Sequence, residues 1–224
     1  MTPDDALAQL AARADPEKSA EIAAYHKFPR PYLGISVPEI TAIATAWRSH
    51  LDTQARVAVA DHLWASDIHE ARISAAKLLT QARIPDDGPV WRLIASWVPT
   101  FDAWAIADHA CEAGNRRLIA NQTRLDEVET WTTHPNMWTR RAALVITLPW
   151  TKQNFPKQAD LDIRDRVLGW AATYVTDKDW FIQKAVAWWL RELSKHDPQR
   201  AHDFLAGPGQ GLKPWARKEA AKYL

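Results

Sequence analysis

The chain of 224 residues is short of the residues that cross-link, interrupt or anchor a protein. It has a single cysteine, Cys111, which excludes an intramolecular disulfide and a multi-cysteine zinc site. It has 7 glycines and no glycine-rich phosphate loop, so no nucleotide cofactor is expected. Its 8 histidines form neither H-E-x-x-H nor H-x-E with C-x-x-C, so no metal site is expected. No apolar run approaches the roughly 20 residues needed to cross a bilayer, and no membrane partner is expected. The N-terminal "MTPDDALAQLAARADPEKSAE" is acidic and helical in pattern, without the basic start and apolar block of a signal peptide. These absences point to a cytoplasmic protein that works without a cofactor.

Strand signals are missing too, and helical ones fill the chain. "VPEITAIATAWRSHL", "TQARVAVADHLWAS", "HEARISAAKLLTQA" and "DIRDRVLGWAATYV" bring apolar residues back at intervals of three and four. Most prolines fall between these segments or in first turns, as at Pro38, Pro85, Pro99, Pro135, Pro198 and Pro214. Asp197 reads as an N-cap and Gly207 as a stop. The fold expected is all-α, one domain over residues 1–224.

The sequence also echoes itself. "IHEARISAAKLL", "NMWTRRAALVIT", "DWFIQKAVAWWL" and "KPWARKEAAKYL" each set a ring three residues before a cation: His69 and Arg72, Trp138 and Arg141, Phe181 and Lys184, Trp215 and Lys218. "FDAWAIADHACEAG" joins the series if Phe101 is the ring and Trp104 replaces the cation. Steps of 32, 37, 43 and 34 residues between positions 72, 104, 141, 184 and 218 suit stacked two-helix units of the HEAT or armadillo kind. Equivalent positions in such a solenoid line one concave wall. Charge agrees with a polyanion partner: residues 1–112 hold 10 Lys and Arg against 15 Asp and Glu, and residues 113–224 hold 18 against 12. A basic half is what gripping phosphates requires. The 13 tryptophans exceed what a core needs, so a subset is expected at an aromatic surface.

Three of these stretches resemble the AlkD-type DNA alkylation repair glycosylases, a family of HEAT-like repeats. "WAIAD", Trp104 to Asp108, is similar to the family's W-x-x-x-D active-site motif. In "MWTRRAAL" Arg141 falls on its active-site arginine, with Arg140 beside it. "FIQKAVAWWLRELSK" resembles its most recognisable segment, with Trp188 at the second active-site tryptophan and Arg191 at a backbone-contacting arginine. Tyr25 in "YHKFPRPYLGISVPE" matches a tyrosine near the family's lesion site. The chain departs from the pattern at Ala105, where relatives often carry Asp, and at Val37, where some carry a hydroxyl. Trp189, about 100° round the helix from Trp188, is expected to pack in the core. Cys111 is expected to be buried and inert.

The resemblance implies a monomeric, nucleoid-associated glycosylase that excises N3- or N7-alkylated purines from duplex DNA without swinging them into a deep pocket. It implies Asp108, Trp104 and Trp188 as catalytic, and Arg141, Arg191 and Tyr25 as contacts to DNA. The basic positions Arg140, Lys184, Arg72 and Lys218 are added as DNA contacts. An alkylated purine is already cationic, so it leaves without an acid; one carboxylate suffices, where other glycoside hydrolases use two. Ionised Asp108 would stabilise the developing cationic sugar, and Arg141 would favour that ionised form. Indole faces attract a cationic base by about 0.5–2 kcal/mol each. Bulky adenine adducts of DNA-alkylating natural products are a further substrate class. The alternatives are a non-catalytic binder of distorted or branched DNA and a protein-binding HEAT scaffold.

Overall fold

A computed structural model describes all 224 residues, and every regular element in it is helical. The chain divides into two compact units, residues 1–120 and 121–224. The first holds α1 (Pro3–Ala11), α2 (Pro16–His26), α3 (Val37–Arg48), α4 (Thr53–Ala65), α5 (His69–Leu79), α6 (Gly88–Trp97) and α7 (Trp104–Ala120). The second holds α8 (Leu125–Thr130), α9 (Met137–Val145), α10 (Gln158–Tyr174), α11 (Trp180–Ser194), α12 (Pro198–Ala206) and α13 (Pro214–Ala220). None of the helices is long and apolar enough to cross a membrane.

Local chemistry sets the helix starts. Ser36 accepts from the Glu39 N–H while the Glu39 carboxylate accepts from the Ser36 N–H, closing a capping box before α3; Thr2 and Asp5 do the same before α1. Asp15, Asp52, Asn136, Asp179 and Asp197 each cap the helix that follows. Such caps satisfy N–H groups that have no partner within the helix. Pro198 and Pro214 are first helical residues, where the missing N–H costs nothing. Gly207 ends α12.

In the first unit α3, α5 and α7 pack side by side as one layer, and α1, α4 and α6 form another, with α4 against α5 and α6 against α7 joining them. Leu63, Ile73, Leu78, Leu79, Val90, Ile94, Ile106 and Leu118 fill the space between. In the second unit α9, α11 and α13 form a layer, backed by α10 and α12. Val128, Leu144, Val167, Ile182, Val186, Leu190 and Leu193 are its core. Each fully buried aliphatic side chain contributes about 1.5–3 kcal/mol. The self-echoing segments thus belong to the α5–α7 layer of one unit and the α9–α11–α13 layer of the other.

The tryptophans sort by layer. Trp47, Trp64, Trp91, Trp97, Trp131, Trp150, Trp170 and Trp189 are buried. The remaining five, Trp104, Trp138, Trp180, Trp188 and Trp215, are half-buried or exposed, and all lie on α7, α9, α11 or α13. Trp189 is fully buried, with its Nε1 donating to Thr147 Oγ1 at 3.3 Å. Trp188, one residue earlier, keeps a half-exposed position, as a 100° rotation per residue requires.

Candidate functional site

In the first unit the ground is prepared before α7 begins. Phe101 is buried and Asp102 follows it. Asp102 accepts from the buried Arg30 and, at 3.4 Å, from Arg72. The same two guanidiniums reach Asp67 at 3.6 and 3.1 Å. Arg72 also donates to the Trp64 carbonyl at 3.1 Å and lies 5.0 Å from that indole's centre. Two arginines and two aspartates therefore lock the turn before α7 to the turn before α5. Arg72 is a member of this network, and its side chain is only 12% exposed.

The segment after α2 is pinned to the same place. Glu70 is fully buried and accepts from the Leu33 and Gly34 N–H groups at 2.8 and 2.9 Å, while the His69 N–H donates to the Pro31 carbonyl at 3.0 Å. Gly34 has φ +82°, and a Cβ there would stand 2.2 Å from the Asp15 carbonyl oxygen, so only glycine fits. The pinning sets the end of α2 against the start of α7. The Tyr25 ring meets Trp104 edge-on at 6.1 Å, and the His26 ring lies tilted against Trp104 at 5.3 Å. His69 backs His26 at 4.4 Å. Burial, with the charges of neighbouring cations, pushes the His69 pKa down to about 3, and burial lowers that of His26.

Asp108 sits one helical turn beyond Trp104 and is half-buried. One turn further, Glu112 meets Lys77 Nζ at 2.6 Å and His109 Nδ1 at 3.6 Å. The His109 contact, with Lys77, holds the Glu112 carboxyl down at about 2, against the burial that would raise it. One face of α7 thus presents an indole, a carboxylate and a second carboxylate kept ionised by its own partners. Cys111 faces the core, 2% exposed.

The second unit carries a different set. Arg141 is buried, 3% exposed, with its guanidinium 5.8 Å from the Trp138 ring centre. Trp138 packs on Phe181 at 4.5 Å, and Trp180 lies across Phe181 at 4.9 Å and along Trp215 at 5.7 Å. Lys184 is exposed, with Nζ 4.6 Å over Trp180, and Lys218 is exposed on α13. The other two cations have carboxylate partners. Arg140 reaches Asp177 at 3.1 Å and donates to the His134 and Pro135 carbonyls. Arg191 pairs with Glu219 and, at 3.1 Å, with Glu192.

The helix boundaries give each echoing segment a position count. Arg141, Lys184 and Lys218 are fifth residues of their helices, and Arg72 is the fourth of α5. α7 begins at Trp104, so Asp108 is its fifth residue. Counted from the helix starts, the fifth residue is a cation in α9, α11 and α13 and Asp108 in α7, whereas the second is a ring in those three and Ala105 in α7, with Trp104 one residue ahead. Phe101, the ring of the sequence pattern, lies in the loop before α7. The sequence did not single out His26 or Glu112; only Glu112, four residues after Asp108, left a signal in the spacing. No group of three or more His, Cys, Asp or Glu is arranged to hold a metal ion.

Comparison with solved structures finds the same fold in a predicted DNA alkylation repair enzyme from Enterococcus faecalis. It is 23% identical, with a TM-score of 0.79 over 95% of this chain and 97% of that one. AlkD2 from Streptococcus mutans is 18% identical, with a TM-score of 0.64 over 93% and 98%. Comparison with curated proteins finds no match. The model of the DNA alkylation repair enzyme family matches residues 6–224, and the chain belongs to that family.

Proposed function

We propose that the protein is a monofunctional DNA glycosylase that hydrolyses the N-glycosidic bond of positively charged N3- and N7-alkylated purines in duplex DNA. The observation that carries the reading is α7: Trp104 and Asp108 stand one turn apart on a half-buried face, with Tyr25 and His26 against the indole. An indole face attracts a cationic base and gains little from neutral guanine. Asp108, ionised, stabilises positive charge as it develops on the sugar and orients the attacking water. The leaving base carries its own positive charge, so no second carboxyl is needed as an acid.

In the second unit Trp188 supplies another indole and Arg141 a fixed positive charge. Arg141 is too deeply buried to reach outward, so its role is electrostatic. Lys184 and Lys218, exposed, take the phosphates, each contact releasing condensed counterions. For Arg72, Arg140 and Arg191 a phosphate contact means exchanging a carboxylate partner. The protein acts as a monomer, and the base is cut without deep extrusion, which leaves room for bulky adducts.

The test is a panel of duplexes carrying N7-methylguanine, N3-methyladenine or a bulky N3-adenine adduct, with freed bases read by mass spectrometry. The reading expects release from the cationic lesions and none from undamaged DNA. Salt-dependent binding without any release would instead make the protein a non-catalytic binder of distorted DNA.

A further inference from the structure

We infer that His26 is a specificity-determining residue: its uncharged ring completes, with Tyr25 and Trp104, a three-ring surface that accepts a positively charged base and rejects one when position 26 carries a cation. This rests on the reading that Trp104 meets the lesion. The three rings touch one another, Tyr25 to His26 at 5.0 Å, His26 to Trp104 at 5.3 Å and Tyr25 to Trp104 at 6.1 Å. Tyr25 is 70% exposed, and the other two are half-buried. Two indole or phenol faces alone would attract a cation; a third ring that became an imidazolium would repel it.

The surroundings keep that ring neutral. His26 Nδ1 is buried and has no hydrogen-bond partner, so a proton placed there would find no acceptor. Burial lowers the His26 pKa, and Arg30, on the segment that follows α2, adds like charge. Behind it His69 on α5 is itself held neutral, and Tyr32 stacks at 6.2 Å. Asp102, before α7, pairs through Oδ2 with Arg30 and Arg72, and no carboxylate raises the His26 pKa.

The experiment compares affinities for two duplexes of the same shape. One carries 2′-fluoro-N7-methylguanine, cationic and resistant to cleavage; the other carries 7-methyl-7-deazaguanine, which is neutral. The wild-type protein is expected to prefer the cationic duplex by about three- to thirtyfold. His26→Phe is expected to keep that preference. His26→Arg is expected to bring it near one while binding the neutral duplex at least as tightly, a pattern that loss of packing would not give. Equal preference in wild type and His26→Arg, or no preference in wild type, would overturn the inference. Because neither duplex is cut, the preference is read whether or not the protein releases bases, so failure of this inference and failure of the glycosylase reading are separate results.

Discussion

The two units differ in what the helices of their echoing layers present. In residues 1–120, Arg30 and Arg72 are folded into the Asp67–Asp102 network, and Arg117 is buried against Asp87 and the Gln81 and Ala82 carbonyls. On α7 Trp104 shares a face with the carboxylates Asp108 and Glu112. In residues 121–224, Lys184 and Lys218 stay exposed beside unburied indoles. The difference lies at the fifth residue of the helix: Lys184 on α11 and Lys218 on α13, but Asp108 on α7. On the proposed reading the exposed cations attract the polyanion and the carboxylate acts on a cationic base.

The comparison breaks most visibly through stability. Asp102→Ala removes a shared partner of two guanidiniums and leaves the buried Arg30 poorly compensated, which is expected to cost about 3–5 kcal/mol in urea unfolding. Lys184→Ala, in the other unit, is expected to change stability by less than about 0.5 kcal/mol. A similar contrast separates neighbouring roles within α11. Trp189→Ala empties a fully buried site and is expected to cost about 3–5 kcal/mol, whereas Trp180→Ala, at a position 48% exposed, is expected to cost far less.

A smaller effect belongs to pH. The His69 pKa falls from 6.5 to about 3 in the folded protein. Its contribution is therefore complete above pH 6.5 and is lost as the pH falls toward 3, because only the unfolded chain takes up the proton in that window. Unfolding at pH 7 and pH 5 should differ by about 1–2 kcal/mol from this group, and His69→Phe should remove that part of the difference. Smallest is the phosphate contact. Lys184→Ala should weaken duplex binding a few-fold without regard to lesion, and lower the slope of log affinity against log salt by about one.

Much of the fold was legible because it is written locally. Period, caps and prolines gave the all-α architecture, the Asp197 start and the Gly207 stop of α12, and the core position of Trp189 against the outward Trp188. The echo was legible as a pattern, but the start of α7 was not, since that depended on whether Phe101 or Trp104 opened the helix. Charge pairing was least legible. Arg72 finds Asp102 thirty residues on, Arg140 finds Asp177, and Arg191 finds Glu219. Such partners are set by which helices pack together, and no spacing in the sequence announces them. His26 was hidden for the same reason: its pKa is lowered by burial and by the charge of Arg30, in a segment held by the Glu70 clamp on the Leu33–Gly34 backbone.

The most direct measurement is the single-turnover rate of base release from an N7-methylguanine duplex by wild type and Asp108→Asn, at protein concentrations that saturate the DNA. The account predicts that the variant binds the duplex as well as wild type but releases base about 10²–10³-fold more slowly. Equal rates for the two proteins would contradict it.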